Sequence, residues 1–173
     1  MNIIRSALGH YETIGNPDDA DCVIGHSFGT LTGEGSANRA LAHFILDNAA
    51  GRPVVADRML VNSFLHGDDT VSYVIDGPIV NYVGQGVGSW GTLVGAKAFM
   101  EQEGLNSALM VAQKHHIGRV MMQAKKLNML TIAAPNLPGH FDPDSDQIWT
   151  RSLAMWLPRE IIGSLVLRAQ GKL

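Results

Sequence analysis

Asp21-Cys22-Val23-Ile24-Gly25, a glycine-rich loop, a helical stretch beginning Ser36-Ala37-Asn38-Arg39-Ala40-Leu41 and then Arg52-Pro53-Val54-Val55-Ala56 together decide the fold. The first run is short, apolar from Cys22 and closed by glycine, the pattern of a strand buried on both faces. Downstream, Ala37, Ala40, Leu41, Phe44 and Ile45 recur at helical spacing and make one apolar stripe, which Gly51 ends. The run from Arg52 to Ala56 is the next expected strand. A strand, a helix and a strand in this order call for a right-handed crossover and parallel pairing.

The rest of the chain repeats the unit. Residues 57 to 77 suit a short helix and then a strand over Val71 to Ile75, and Ile79-Val80-Asn81-Tyr82-Val83 reads as a strand. Glycine-rich Gly84 to Gly91 leads to a helix over Thr92 to Glu103. A strand from Ala108 to Ala112 gives way to a helix with Ile117, Val120, Met121, Ala124 and Leu127 on one side, and Leu130 to Ala133 is a further strand. The tail reads as two helical pieces divided at Pro158, whose ring removes a ladder donor; Ile161, Ile162, Leu165, Val166 and Ala169 supply the second piece with an apolar stripe. The expectation is an α/β fold of three layers, Rossmann-like, with a mainly parallel sheet between helices, as one domain over residues 1–173.

Composition narrows the function classes. The chain has 173 residues, 46% of them hydrophobic, enough for one substantial core. Thirteen basic and sixteen acidic side chains give a net charge of -3, and no basic run exists to follow a phosphate backbone, so nucleic acid is not an expected partner. Cys22 is the single cysteine, which rules out an internal disulfide and a cysteine-based zinc site. No window approaches the roughly 18 apolar residues of a membrane span, and the expected setting is soluble and cytoplasmic.

Several motifs bear on chemistry. Gly25-His26-Ser27-Phe28-Gly29 has the G-x-S-x-G form of a nucleophile elbow, with His115, His116 or His140 available as base and Asp76 as acid; this is the serine-hydrolase alternative. Against it, few residues precede Ser27, and the next helix starts late, whereas an elbow needs its helix at once. Gly86-Val87-Gly88-Ser89-Trp90-Gly91 matches G-x-G-x-x-G, but Gln113 and Lys114 stand where the acidic ribose ligand of a dinucleotide site belongs. Ser89 and Thr92, three apart in a first helical turn, direct hydroxyls to one side, with Ser89 as N-cap the plain alternative.

His116 and Arg119 are likewise three apart at a helix start, on the side opposite Ile117, Val120 and Met121. An imidazole, a guanidinium and free N–H groups suit an anion. Asp142-Pro143-Asp144-Ser145-Asp146 lacks the glycine and glutamate of a calcium loop and is expected to be a solvated loop, while His115 and His116 lack the spacing of a zinc pair, so no metal is expected. Arg39 and His43 read as a solvated polar side. The expected ligand site therefore comprises Gly25, His26, Ser27, Ser89, Thr92, His116 and Arg119 at the carboxyl edge of a parallel sheet.

These segments, in order, resemble the YdcF-like family, which includes SanA-like and ElyC-like members and is largely uncharacterised. The resemblance runs over roughly residues 21 to 171 through Ile24-Gly25, then Ser89, Thr92 and Ala96, then His116 and Arg119, and then Leu157-Pro158-Arg159-Glu160. Gly86 and Gly95 stand where the family usually has an acidic residue and an asparagine. The resemblance implies a Rossmann-like sheet, a bacterial source and a small-molecule ligand that is nucleotide-like or S-adenosylmethionine-like, anionic or zwitterionic. A noncatalytic regulatory or interaction protein is the third class the sequence accommodates, and neither oligomeric state nor reaction is readable from it.

Overall fold

The computed structural model describes residues 3–29, 35–64, 70–76 and 88–173. In chain order the elements are α1 (Ile3–Ala7), β1 (Cys22–Gly25), α2 (Ser36–Ala49), β2 (Val54–Asp57), α3 (Arg58–Val61), β3 (Tyr73–Ile75), α4 (Gly88–Glu103), β4 (Ser107–Val111), α5 (Ile117–Lys126), β5 (Leu130–Ala133) and α6 (Leu153–Ala169). Among the described residues the strands form one five-stranded sheet in the order β3-β2-β1-β4-β5, and each neighbouring pair is parallel. The fold is thus a Rossmann-like α/β domain of three layers. Right-handed crossovers put α2 and α3 on one face and α4 and α5 on the other, consistent with α2 packing on α3 and α4 on α5.

The three central strands are buried along their whole length, which is why they read as continuous apolar runs. The outer strands are shorter or half-covered: β3 has three residues, and Leu130 in β5 is exposed. Gly25 closes β1 for a packing reason. A Cβ there would lie 2.6 Å from both Ile45 of α2 and Leu60 of α3, so two helices approach the strand only because no side chain intervenes. Gly95 does the same on the opposite face, where a Cβ would stand 3.2 Å from Ile75. An asparagine in its place would collide with β3.

Three expectations change in the structure, and one element, α1, appears where the sequence raised no expectation. The tail is one helix with Pro158 inside it, held on either side of the proline by buried Trp156 and Glu160. Its buried side is Trp156, Glu160, Gly163 and Ser164, whereas Ile162 and Leu165 of the expected stripe are exposed. The N-terminal lead-in contains α1, which packs on both α5 and α6. The segment from Asp142 is not a solvated loop, because Asp142 and Ser145 are buried. The strand expected over Ile79 to Val83 lies outside the described residues, as do Gly84 to Val87 of the glycine-rich stretch, whose remaining residues begin α4.

Gly25→Ala should destabilise the protein by about 1 to 3 kcal/mol, the usual cost of forcing extra volume into a packed core. Urea unfolding would register this as a lower midpoint with an unchanged slope; a wild-type midpoint would show that α2 and α3 yield freely.

Candidate functional site at the switch point

The strand order reverses its direction of travel between β1 and β4, and a doubly wound sheet opens a crevice at the carboxyl ends of such a pair. Gly25 is in register with Val111, and the N–H of His26 continues the ladder by donating to the Val111 carbonyl at 2.9 Å. The chain therefore leaves both strands at the same level. From β1 come His26, Ser27 and Phe28; from β4 come Gln113, His115 and His116, with His116 at the N-cap of α5. Glu160 and Trp156 of α6 close the group from the third side.

Arg119 organises this group. Its Nε donates to Glu160 Oε1 at 3.0 Å and its Nη2 donates to His116 Nδ1 at 3.1 Å. A guanidinium only donates, so Nδ1 of His116 is an acceptor, and the ring is neutral with its proton on Nε2. Glu160 Oε1 lies 3.8 Å from the same nitrogen, too far for a hydrogen bond. Burial alone would raise the Glu160 carboxyl, but Arg119, then His116 and Arg159, outweigh it and hold the group below its usual value. Glu160 is 2% exposed, and its Oε2 has no partner.

His26 is also fully enclosed. Its Nε2 is buried without a partner, and burial, followed by His116 and Arg119, drives its pKa down to about 3. The ring is neutral at pH 7. His116 is lowered as well from the ordinary histidine value near 6.5, chiefly by burial and then by Arg119. Phe28 packs edge-on against Trp156 at 4.8 Å and Phe141 at 5.7 Å, and His116 meets Trp156 edge-on at 5.5 Å, giving the polar group an aromatic surround. The Trp156 indole N–H donates to the His115 carbonyl at 3.3 Å.

The expected site residues divide. His26, His116 and Arg119 come together; Ser89 and Thr92 do not join them. The N-terminus of α4 is at the same sheet edge, but it follows β3, three strand spacings from β4, or about 14 Å. Ser89 is the second helical residue rather than the N-cap, and the Thr92 hydroxyl donates to the Gly88 carbonyl of its own helix at 3.1 Å. Gly25 serves helix packing, as described above. Ser27 belongs to β2: its N–H donates to Asp57 Oδ2 at 2.9 Å, its hydroxyl also bonds Asp57, and among the described residues no histidine is bonded to it. Asp57, buried at the start of α3, also takes the Leu60 N–H, yet burial leaves its carboxyl raised.

Arg119 is not the exposed guanidinium that helical periodicity suggests. Its side chain is 13% exposed and faces Glu160, because α6 and the α1 segment cover the side of α5 that the sequence marks as polar. Sequence reasoning missed Glu160 as its partner, although the segment Leu157 to Glu160 stood out. Cys22 offers no nucleophile: burial, then Asp21, pushes its thiol up to about 11. Among the described residues no cluster of three or more histidine, cysteine or acidic side chains is placed to hold a metal, and no helix is long and apolar enough to cross a membrane.

Fold and site together define a doubly wound α/β domain with a buried, mixed-charge group at its topological switch point. No protein-family model matches the chain, and no match was found among the curated proteins or the solved structures.

Removing one member of the ion pair strands the other. Arg119→Met should cost about 3 to 5 kcal/mol, with much of the loss recovered when Glu160→Leu is added. A denaturant double-mutant cycle measures the coupling, and additive losses would mean the pair is not buried.

The His26 shift also carries a sign. Between about pH 6.5 and about 3 the unfolded chain takes up a proton that folded His26 refuses, so the contribution of His26 to stability is complete above this window and is lost as the pH falls through it. His116 and Glu160 act in the same sense, whereas the raised carboxyl of Asp57 opposes it. Between pH 6.5 and 4.5 the parent should lose about 2 to 3 kcal/mol more than His26→Leu. Parallel pH profiles for the two proteins would place His26 in water.

Proposed function

We propose that this chain binds a small anionic or zwitterionic molecule, nucleotide-like or S-adenosylmethionine-like, between the ends of β1 and β4, in keeping with its resemblance to YdcF-like proteins. The observation that carries the reading is the coexistence, in one buried group, of polar atoms the fold leaves unsatisfied: His26 Nε2 and Glu160 Oε2. Buried polar atoms are nearly always paired, and each one left without a partner costs about 1 to 3 kcal/mol. A fold that retains two of them at its switch point has reason to do so if a ligand supplies their partners.

The chemistry of the group selects a zwitterion. Nη1 of Arg119 has no partner among the described residues, and Gly118 in the first turn of α5 donates its N–H to no described carbonyl, so a carboxylate or phosphate finds donors there. Glu160 Oε2 is an acceptor suited to an ammonium or sulfonium group. Neutral His26 bridges the two kinds of site, since an uncharged imidazole both donates and accepts. Phe28, Phe141 and Trp156 give an apolar boundary on which a base or methylene chain excludes water.

Calorimetry with S-adenosylmethionine, adenosine monophosphate and methionine tests the reading on the full chain. S-adenosylmethionine is expected to bind, and His26→Leu should weaken it about tenfold, the equivalent of roughly 1.4 kcal/mol, while leaving stability at pH 7 equal to or above that of the parent. Equal affinity in the two proteins would remove His26 from the site, and no heat with any of the three compounds would overturn the assignment.

A further inference from the structure

Among the described residues, the histidine paired with a serine is His140, and its partner is Ser36 rather than Ser27. Ser36 Oγ lies 3.0 Å from His140 Nε2, within the reach of a nucleophile and its general base. We propose that Ser36 and His140 form a hydrolytic pair acting on small carboxylic esters. The proposal is independent of the ligand reading above, since it uses neither His26 nor Arg119.

Both members are held by buried supports. Asp142, 6% exposed, accepts the Ser36 N–H at 2.8 Å through Oδ2, takes the Asp144 N–H at 3.2 Å through Oδ1, and donates its own N–H to the Thr150 carbonyl. The carbonyl of His140 accepts from buried Gln113 at 3.5 Å, which ties it to the loop after β4. The serine thus has its backbone fixed by a carboxylate and its hydroxyl directed at an imidazole. The side chains of the pair remain open to solvent. A substrate can reach them without displacing the core.

The first turn of α2 supplies what the developing charge needs. The Ser36 N–H is engaged by Asp142, but the N–H groups of Ala37 and Asn38 donate to no described group, and the next donor, Arg39, already reaches the Gly35 carbonyl at 3.0 Å. Two backbone donors immediately after the nucleophile, without acceptors among the described residues, are placed to take an oxyanion, and the helix dipole favours negative charge there. In the first half-reaction Ser36 Oγ bonds to the ester carbonyl carbon while its proton passes to His140 Nε2. The bond from that carbon to the alcohol oxygen then breaks, and His140 returns the proton to the departing alcohol. Water, deprotonated by His140, cleaves the acyl-serine, releases the acid and restores the hydroxyl.

Turnover of p-nitrophenyl acetate and labelling by a fluorophosphonate, with the labelled peptide identified by mass spectrometry, test the pair. The parent is expected to turn over the ester and take the label on Ser36. Ser36→Ala and His140→Ala should each lower kcat/KM by about 100-fold or more, whereas His43→Ala, on the exposed side of α2, should not change it. Should Ser36→Ala fail to fold, Ser36→Cys gives a second reading: its thiol should react with iodoacetamide several times faster with His140 present than in Ser36→Cys/His140→Ala. No ester turnover by the parent, a label on another residue, turnover retained without the Ser36 hydroxyl, or a thiol reactivity in Ser36→Cys indifferent to His140 would each overturn the proposal.

Discussion

The positive charge of Arg119 has to be neutralised inside the protein, and much of the upper part of the structure is arranged so that Glu160 does it. The pair joins α5 to α6, elements separated by β5 and a long connection, through one 3.0 Å contact. It also fixes the neighbours. By committing a second donor to His116 Nδ1, Arg119 settles which nitrogen of that ring carries the proton, and the field of its charge helps to keep His26 neutral. A buried ion pair of this kind is weak evidence for stability, since packed apolar side chains often serve as well. What it maintains is a polar, partly unsatisfied group at the switch point.

That group sits where it does because the sheet is built outward from its middle. β1 is laid down first, β2 and β3 extend one side, and the chain must then cross to the other side to place β4 against β1. Loops after neighbouring strands diverge to opposite faces at this one place. Gly25 and Gly95 make the layers close enough for the arrangement to be tight, one on each face of the sheet. The aromatic contacts of Phe28 with Trp156 and Phe141 then pin the β1 loop against segments that arrive more than a hundred residues later.

Much of this architecture is legible in the sequence, because buried parallel strands and their covering helices are written in local patterns. Cys22 to Gly25, the stripe of α2 and the run before His115 announce themselves without knowledge of any partner. Arg119 does not. Spacing places it opposite the apolar side of α5 and so predicts solvent, but periodicity reports only what one helix prefers, and two distant segments cover that side. The same limit applies in reverse to Ile162 and Leu165, whose apolar spacing predicts burial that no other element supplies. His26, His116 and Arg119 could be nominated for a site from strand-end logic, whereas Glu160, Asp57 and the pairing of His140 with Ser36 depend on contacts over tens of residues. Ser89 and Thr92 shared the right edge but the wrong strand.

The brevity of the strands that are outermost among the described residues has its own effect on how molecules of this protein meet one another. A sheet margin is a row of unpaired backbone donors and acceptors, and two such margins can zip together into a continuous sheet spanning separate chains. With three residues in β3 and four in β5, each margin offers only one or two register-matched bonds to a newcomer, too few to hold against thermal motion. At β5, lateral growth is therefore self-limiting, despite the apolar side chain that Leu130 displays there.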